Sequence, residues 1–146
     1  MIKLGTLVGT LALCIAAGPA AFAAEITVKT LNSGPGGMMV FDPAFVKLAP
    51  GDSIKFVPQD KGHNAELIKG MAPEGAETFK TVLGKEEVVK FDKPGVYGIK
   101  CSPHYLMGMI AVVVVGDKPE NLEAAKAVTH NKLAAKRFES LLAQVQ

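Results

Sequence analysis

The sequence predicts an all-β domain, an antiparallel sandwich of about eight short strands with two C-terminal α-helices. Three observations carry this expectation. Apolar and polar residues alternate in short segments, the period of half-buried strands. Clusters of Gly, Pro, Asn and Asp separate those segments. Helical spacing of apolar residues is confined to residues 117–146.

The chain opens with Lys3, an apolar run over residues 4–17 and the triplet Ala21-Phe22-Ala23. This is the order of a secretory signal peptide, with cleavage after Ala23. The run is too short to read as a membrane span, so no membrane association is expected of the mature form. Residues 24–146 then make one domain, with a β-sandwich over 24–116 and a helical tail over 117–146 packed on it. Cys14 leaves with the leader, so Cys101 becomes the single thiol of an exported protein and has no disulfide partner. The whole chain carries a net charge of +2, reduced by one when Lys3 is removed. So near a balance gives no support to a nucleic-acid binder.

Ile26 and Val28 alternate with Thr27 and Lys29 in a first strand, and Asn32-Ser33-Gly34-Pro35-Gly36-Gly37 is a turn. Val46 and Leu48 flank Lys47, Pro50-Gly51-Asp52 reverses the chain, and Ile54 and Phe56 alternate with Ser53 and Lys55. A polar loop over residues 59–64 enters Ala65-Glu66-Leu67-Ile68, and residues 69–80 form an irregular excursion. Thr81-Val82-Leu83 and Val88-Val89-Lys90-Phe91 are further strand candidates. After the turn Lys93-Pro94-Gly95, the residues Tyr97, Ile99 and Cys101 share one strand parity, which aims Cys101 inward.

The last strand, from Met109 to Val115, is apolar on both faces. Met109, Ala111, Val113 and Val115 face the core, so Ile110, Val112 and Val114 need a second cover. The tail supplies it. Pro119 and Glu120 suit a helix start, and Leu122, Ala125 and Val128 follow at helical spacing. A second helix is expected from about Thr129, with Ala134, Phe138, Leu141, Leu142 and Val145 on one stripe. A tail that binds a partner or lies on a membrane is the competing reading of that stripe.

The chemistry concentrates in Cys101-Ser102-Pro103-His104-Tyr105-Leu106-Met107-Gly108-Met109. A thiolate and a thioether are soft donors and imidazole is intermediate, a set that suits copper and serves hard cations poorly. Two His and one Cys with a weak axial Met is the blue-copper arrangement. His63, in Asp60-Lys61-Gly62-His63-Asn64, supplies the second imidazole. Pro103 stiffens the turn, and Gly108 lets the chain reverse. Met109 rather than Met107 is the expected axial donor, because it opens a strand on the inward parity. Zinc seldom recruits Met and prefers four strong ligands in structural sites. A Cys nucleophile with a His base would need an orienting group and an oxyanion site, and no candidate for either stands out. No enzymatic activity is therefore expected.

Cys101-Ser102-Pro103-His104 with Met109, the Phe41-Asp42-Pro43 segment, the Pro50-Gly51-Asp52 turn and Gly62-His63-Asn64 resemble the small blue copper proteins of the cupredoxin family. The wording of the loop, the Asp60 to Asn64 segment and the helical tail resemble the pseudoazurin branch. The resemblance implies a Greek-key sandwich or barrel holding one copper ion, with His63, Cys101, His104 and Met109 as ligands. It implies that Asn64 supports the thiolate and the loop, and that Met39 packs against a ligand imidazole. It further implies a periplasmic, monomeric one-electron carrier cycling Cu(I) and Cu(II), which docks transiently on redox proteins such as nitrite reductase. The docking face would combine Lys61, Lys80 and Lys100 with an apolar patch near His104 that includes Tyr105 and Met107. Copper transport or storage is the alternative function.

Overall fold

The computed structural model describes residues 22–145. The expected leader, residues 1–23, lies outside them except for its last two positions. Eight strands follow in order: β1 (Glu25–Gly34), β2 (Gly37–Asp42), β3 (Phe45–Leu48), β4 (Ser53–Pro58), β5 (Glu66–Leu67), β6 (Glu87–Lys90), β7 (Gly95–Lys100) and β8 (Ile110–Val115). Two helices close the chain, α1 (Leu122–Lys126) and α2 (Lys132–Leu142).

The strands form two four-stranded sheets, ordered β2-β1-β4-β6 and β3-β8-β7-β5. Hairpins join β1 to β2 and β7 to β8, while every connection between those hairpins crosses from one sheet to the other. One pairing in each sheet departs from the antiparallel expectation, since β1 runs parallel to β4 and β3 parallel to β8. A chain that alternates between sheets skips an element before it returns, and the strand it rejoins can run the same way.

Strand parity divides the interior into two cores. Between the sheets lie Val28, Phe41, Ile54, Phe56, Phe91, Tyr97, Ile99 and Cys101, with Met109, Ala111, Val113 and Val115 from the last strand. On the outer face of β8, Ile110, Val112 and Val114 pack against Ala125, Ala134, Phe138 and Leu142 of the helices. A strand buried on both faces thus reads as a continuous apolar run. Burying such side chains contributes about 1.5–3 kcal/mol each, and the helical tail is what makes that burial possible on the outer face.

Two expectations change. Thr81-Val82-Leu83 is not a strand; it follows an isolated bridge between Glu66 and Lys80, with Thr81 buried and Val82 and Leu83 exposed. The Thr81 hydroxyl accepts a hydrogen bond from the Ala65 amide at 2.8 Å, and its amide donates to the Ala65 carbonyl, so the segment is tied to the loop after His63. The second helix starts three residues later than Thr129, because the Asn131 side chain accepts from the amides of Leu133 and Ala134 and fixes the end there.

Candidate metal centre

Four stretches of chain meet at one end of the sandwich. β7 delivers Cys101, and its ladder with β8 continues past the strand ends in a bond from the Cys101 amide to the Met109 carbonyl, 3.0 Å. The loop between them folds on itself. The His104 amide donates to the Cys101 carbonyl (3.2 Å), and the Met107 and Met109 amides donate to the His104 carbonyl (3.0 and 3.2 Å). A single 3-10 turn, Tyr105–Met107, ends at Gly108 in the left-handed conformation, φ 79°. Residues other than glycine rarely adopt that backbone, so Gly108 is what lets Met109 turn back inward. Opposite, the β4–β5 connection brings in His63, and β1 brings in Asn32.

The donor atoms form a compact triangle. His63 Nδ1 and His104 Nδ1 are 3.0 Å apart, and Cys101 Sγ lies 3.7 Å from the first and 3.6 Å from the second. The point equidistant from the three lies roughly 2 Å from each, a metal–imidazole bond length. His63 and Cys101 are fully buried and His104 half-buried. Met109 is also fully buried, in the same core cluster as Cys101.

Burial acts oppositely on the two kinds of donor, favouring a neutral imidazole and a protonated thiol. The Asn32 side-chain oxygen lies 2.8 Å from His63 Nε2, so Nε2–H donates there and the Nδ1 lone pair faces the thiol. Burial pushes the His63 pKa down, and the neighbouring His104 adds to this, both favouring the neutral ring. Burial pushes the Cys101 thiol up, against the opposing effect of hydrogen bonds from the Asn64 and His104 segments. Two imidazole lone pairs 3.0 Å apart repel unless a cation or a shared proton sits between them. A soft cation that displaces the thiol proton satisfies all three donors at once.

Asn64 is tied by its side chain to the residue after Cys101. Its side-chain oxygen accepts from the Ser102 amide at 2.8 Å, and its amide group donates to the Ser102 hydroxyl at 3.0 Å. Ser102 in turn donates to Glu66. Met39 packs against the cluster that holds Cys101 and Met109, with its backbone at φ 50°. Pro103 is exposed, beside Val82 and Leu83.

The expected docking residues are placed unevenly. Lys61 is exposed, but Lys80 and Lys100 both reach Glu66, at 3.4 and 3.7 Å. Lys100 also lies 5.4 Å above the Tyr105 ring, whose hydroxyl bonds to His130 Nδ1 at 2.7 Å. Tyr105 is therefore half-turned to the tail, while Leu106 and Met107 stand out into solvent. Sequence reasoning missed Asn32 and Glu66. Asn32 reads as an ordinary turn residue before Gly34-Pro35, and Glu66 as one polar position in a strand.

Residues 28–116 match the family model of copper binding proteins of the plastocyanin/azurin family. Over 137 residues the chain is 69% identical to a pseudoazurin of Methylorubrum extorquens, covering 94% of this chain and 93% of that protein. It is 52% identical to a pseudoazurin of Paracoccus pantotrophus over 124 residues, 85% of this chain and 86% of the relative. The crystal structure of pseudoazurin from Methylobacterium extorquens AM1 superposes with a TM-score of 0.82 at 71% identity, covering 84% of this chain and 99% of that one.

Proposed function

The chain belongs to the plastocyanin/azurin family of copper-binding proteins, and on that premise we propose that it is a periplasmic one-electron carrier. His63, Cys101 and His104 would hold the copper ion through Nδ1, Sγ and Nδ1, with the Met109 thioether as a fourth, weaker donor. The observation that carries this is the triangle of one buried thiol and two imidazole nitrogens, with sides of 3.0, 3.6 and 3.7 Å. When bound, copper supplies a centre that accepts and releases one electron.

The protein's own residues keep that centre still. Cys101 is fastened to the start of the β8 ladder, His104 to the Cys101 carbonyl and His63 to Asn32, tethers that would hold the donors in one arrangement as the ion changes charge. Little rearrangement means a small barrier to exchange. Burial of Cys101 and His63 excludes water from the sulfur, leaving His104 as the donor nearest the surface. Exposed Leu106 and Met107 beside it, together with the charges of Lys61, Lys80 and Lys100, would make a small and weak docking face for a redox partner such as nitrite reductase.

No catalytic group is needed for such a role. Transport or storage of copper, the alternative, calls for exchangeable donors, and a buried thiol exchanges poorly. Cys101→Ala tests the assignment: the variant should fold, bind no blue copper and show no intense thiolate-to-copper band. A variant that stays coloured would overturn the role of Cys101.

A further inference from the structure

The sequence holds a single arginine, Arg137, among 16 basic residues. It sits on α2, and its guanidinium reaches three backbone carbonyls in two distant stretches. Nη1 donates to Met39 O at 2.8 Å and to Gly108 O at 2.7 Å, and Nη2 donates to Met38 O at 2.8 Å. Gly108 immediately precedes Met109, and Met39 packs on the cluster containing Met109 and Cys101. Met39 is also the one non-glycine residue with positive φ among the described residues, a conformation that persists only where surroundings enforce it.

We propose that Arg137 is a positioning residue for the metal centre, buckling β2 to the ligand loop so that Met109 keeps its place in the core cluster that holds Cys101. The proposal rests on the copper reading above. The loop accounts for most of its own polar groups, through bonds to the carbonyls of Cys101, His104 and Tyr105. The Gly108 carbonyl, last before the axial position, is taken instead by α2. The N-cap of the same helix adds Asn131, whose side chain donates to the Tyr105 carbonyl at 2.9 Å. A planar guanidinium with donors in a fixed fork can serve three carbonyls that point from two directions; a lysine ammonium is a compact point charge without that geometry. This explains why a chain otherwise built with lysine carries arginine at this position.

The test compares full-length Arg137→Lys and Arg137→Gln with Phe138→Leu, which loosens α2 without touching the fork. In apoprotein, amide hydrogen exchange at Gly108 and Met109 should quicken about tenfold in both Arg137 variants, the factor for one lost charge-assisted hydrogen bond, while Val112 and Val113 stay protected. After copper loading, the ratio of the two thiolate-to-copper bands and the reduction potential should both move. Arg137→Lys keeps the charge, so its shift would separate the fork from simple electrostatics. Unchanged exchange and spectra in the Arg137 variants would overturn the proposal, and so would equal changes in a Phe138→Leu protein of matched melting temperature. A parent protein without the copper band would contradict the copper reading, a result independent of the exchange rates.

Discussion

His63 shows how one residue's state depends on what lies behind it. Its Nδ1 is available because Nε2–H donates to the Asn32 side-chain oxygen, and burial with the His104 neighbour lowers its pKa. Outer partners of ligand imidazoles typically matter about 10- to 100-fold in affinity. Asn32→Leu should therefore weaken copper binding by roughly that factor, read by competition with a chelator of known affinity. The place of His63 among the donors is legible in the sequence, since a soft donor loop with one imidazole requires another. Asn32 is not, because its contact spans 31 positions and its local setting is only a turn.

At the scale of elements, β8 and α2 depend on each other. The two-faced apolar run Ile110–Val115 demands a second cover, and the stripe Ala134, Phe138, Leu142 identifies what provides it. Phe138 is 2% exposed, between β8 and His130, whose ring centroid lies 4.4 Å away. Phe138→Ala should cost about 3–5 kcal/mol, measured by urea unfolding, while the wavelength of the copper band changes less than in the Arg137 variants. Strand parity alone likewise suffices to place Cys101 inside, and the two-sheet core agrees. Thr81-Val82-Leu83 misleads because two β-branched residues and a leucine read as a strand whether or not a neighbour exists to pair with them. Here its backbone is engaged by the Ala65 loop, a tertiary bond that local propensity does not contain. The start of α2 departs from Thr129 for a similar reason, since Thr129 and Asn131 are both acceptable caps and the side-chain bonds of Asn131 decide between them.

At the scale of the whole molecule, Glu66 offsets the charge that Lys80 and Lys100 bring to the face around the loop. Its carboxyl pKa is lowered, first by the Ser102 hydroxyl and then by Lys100 and Lys80. The folded value lies below the unfolded one, so its stabilising contribution is present above the ordinary glutamate value, about 4.3, and is lost as pH falls through the lowered value. Glu66→Gln should thus be less stable than the parent at neutral pH by about 1 kcal/mol, with the difference vanishing in acid. The same variant leaves Lys80 and Lys100 uncompensated. Association with an acidic redox partner should become faster at low salt and converge with the parent at high salt, in stopped-flow measurements. An unchanged salt dependence would remove these lysines from the docking face. The sequence points to the lysines but not to the carboxylate between them, because pairing across β5 and β7 is a property of the sheet.

The most direct measurement is a visible and EPR spectrum of the protein after addition of Cu(II), before and after ascorbate and again on reoxidation. Coordination by Cys101 Sγ predicts an intense thiolate-to-copper band that bleaches on reduction and returns with the copper retained. A colourless protein, or one whose copper is lost on reduction, would contradict the electron-carrier reading.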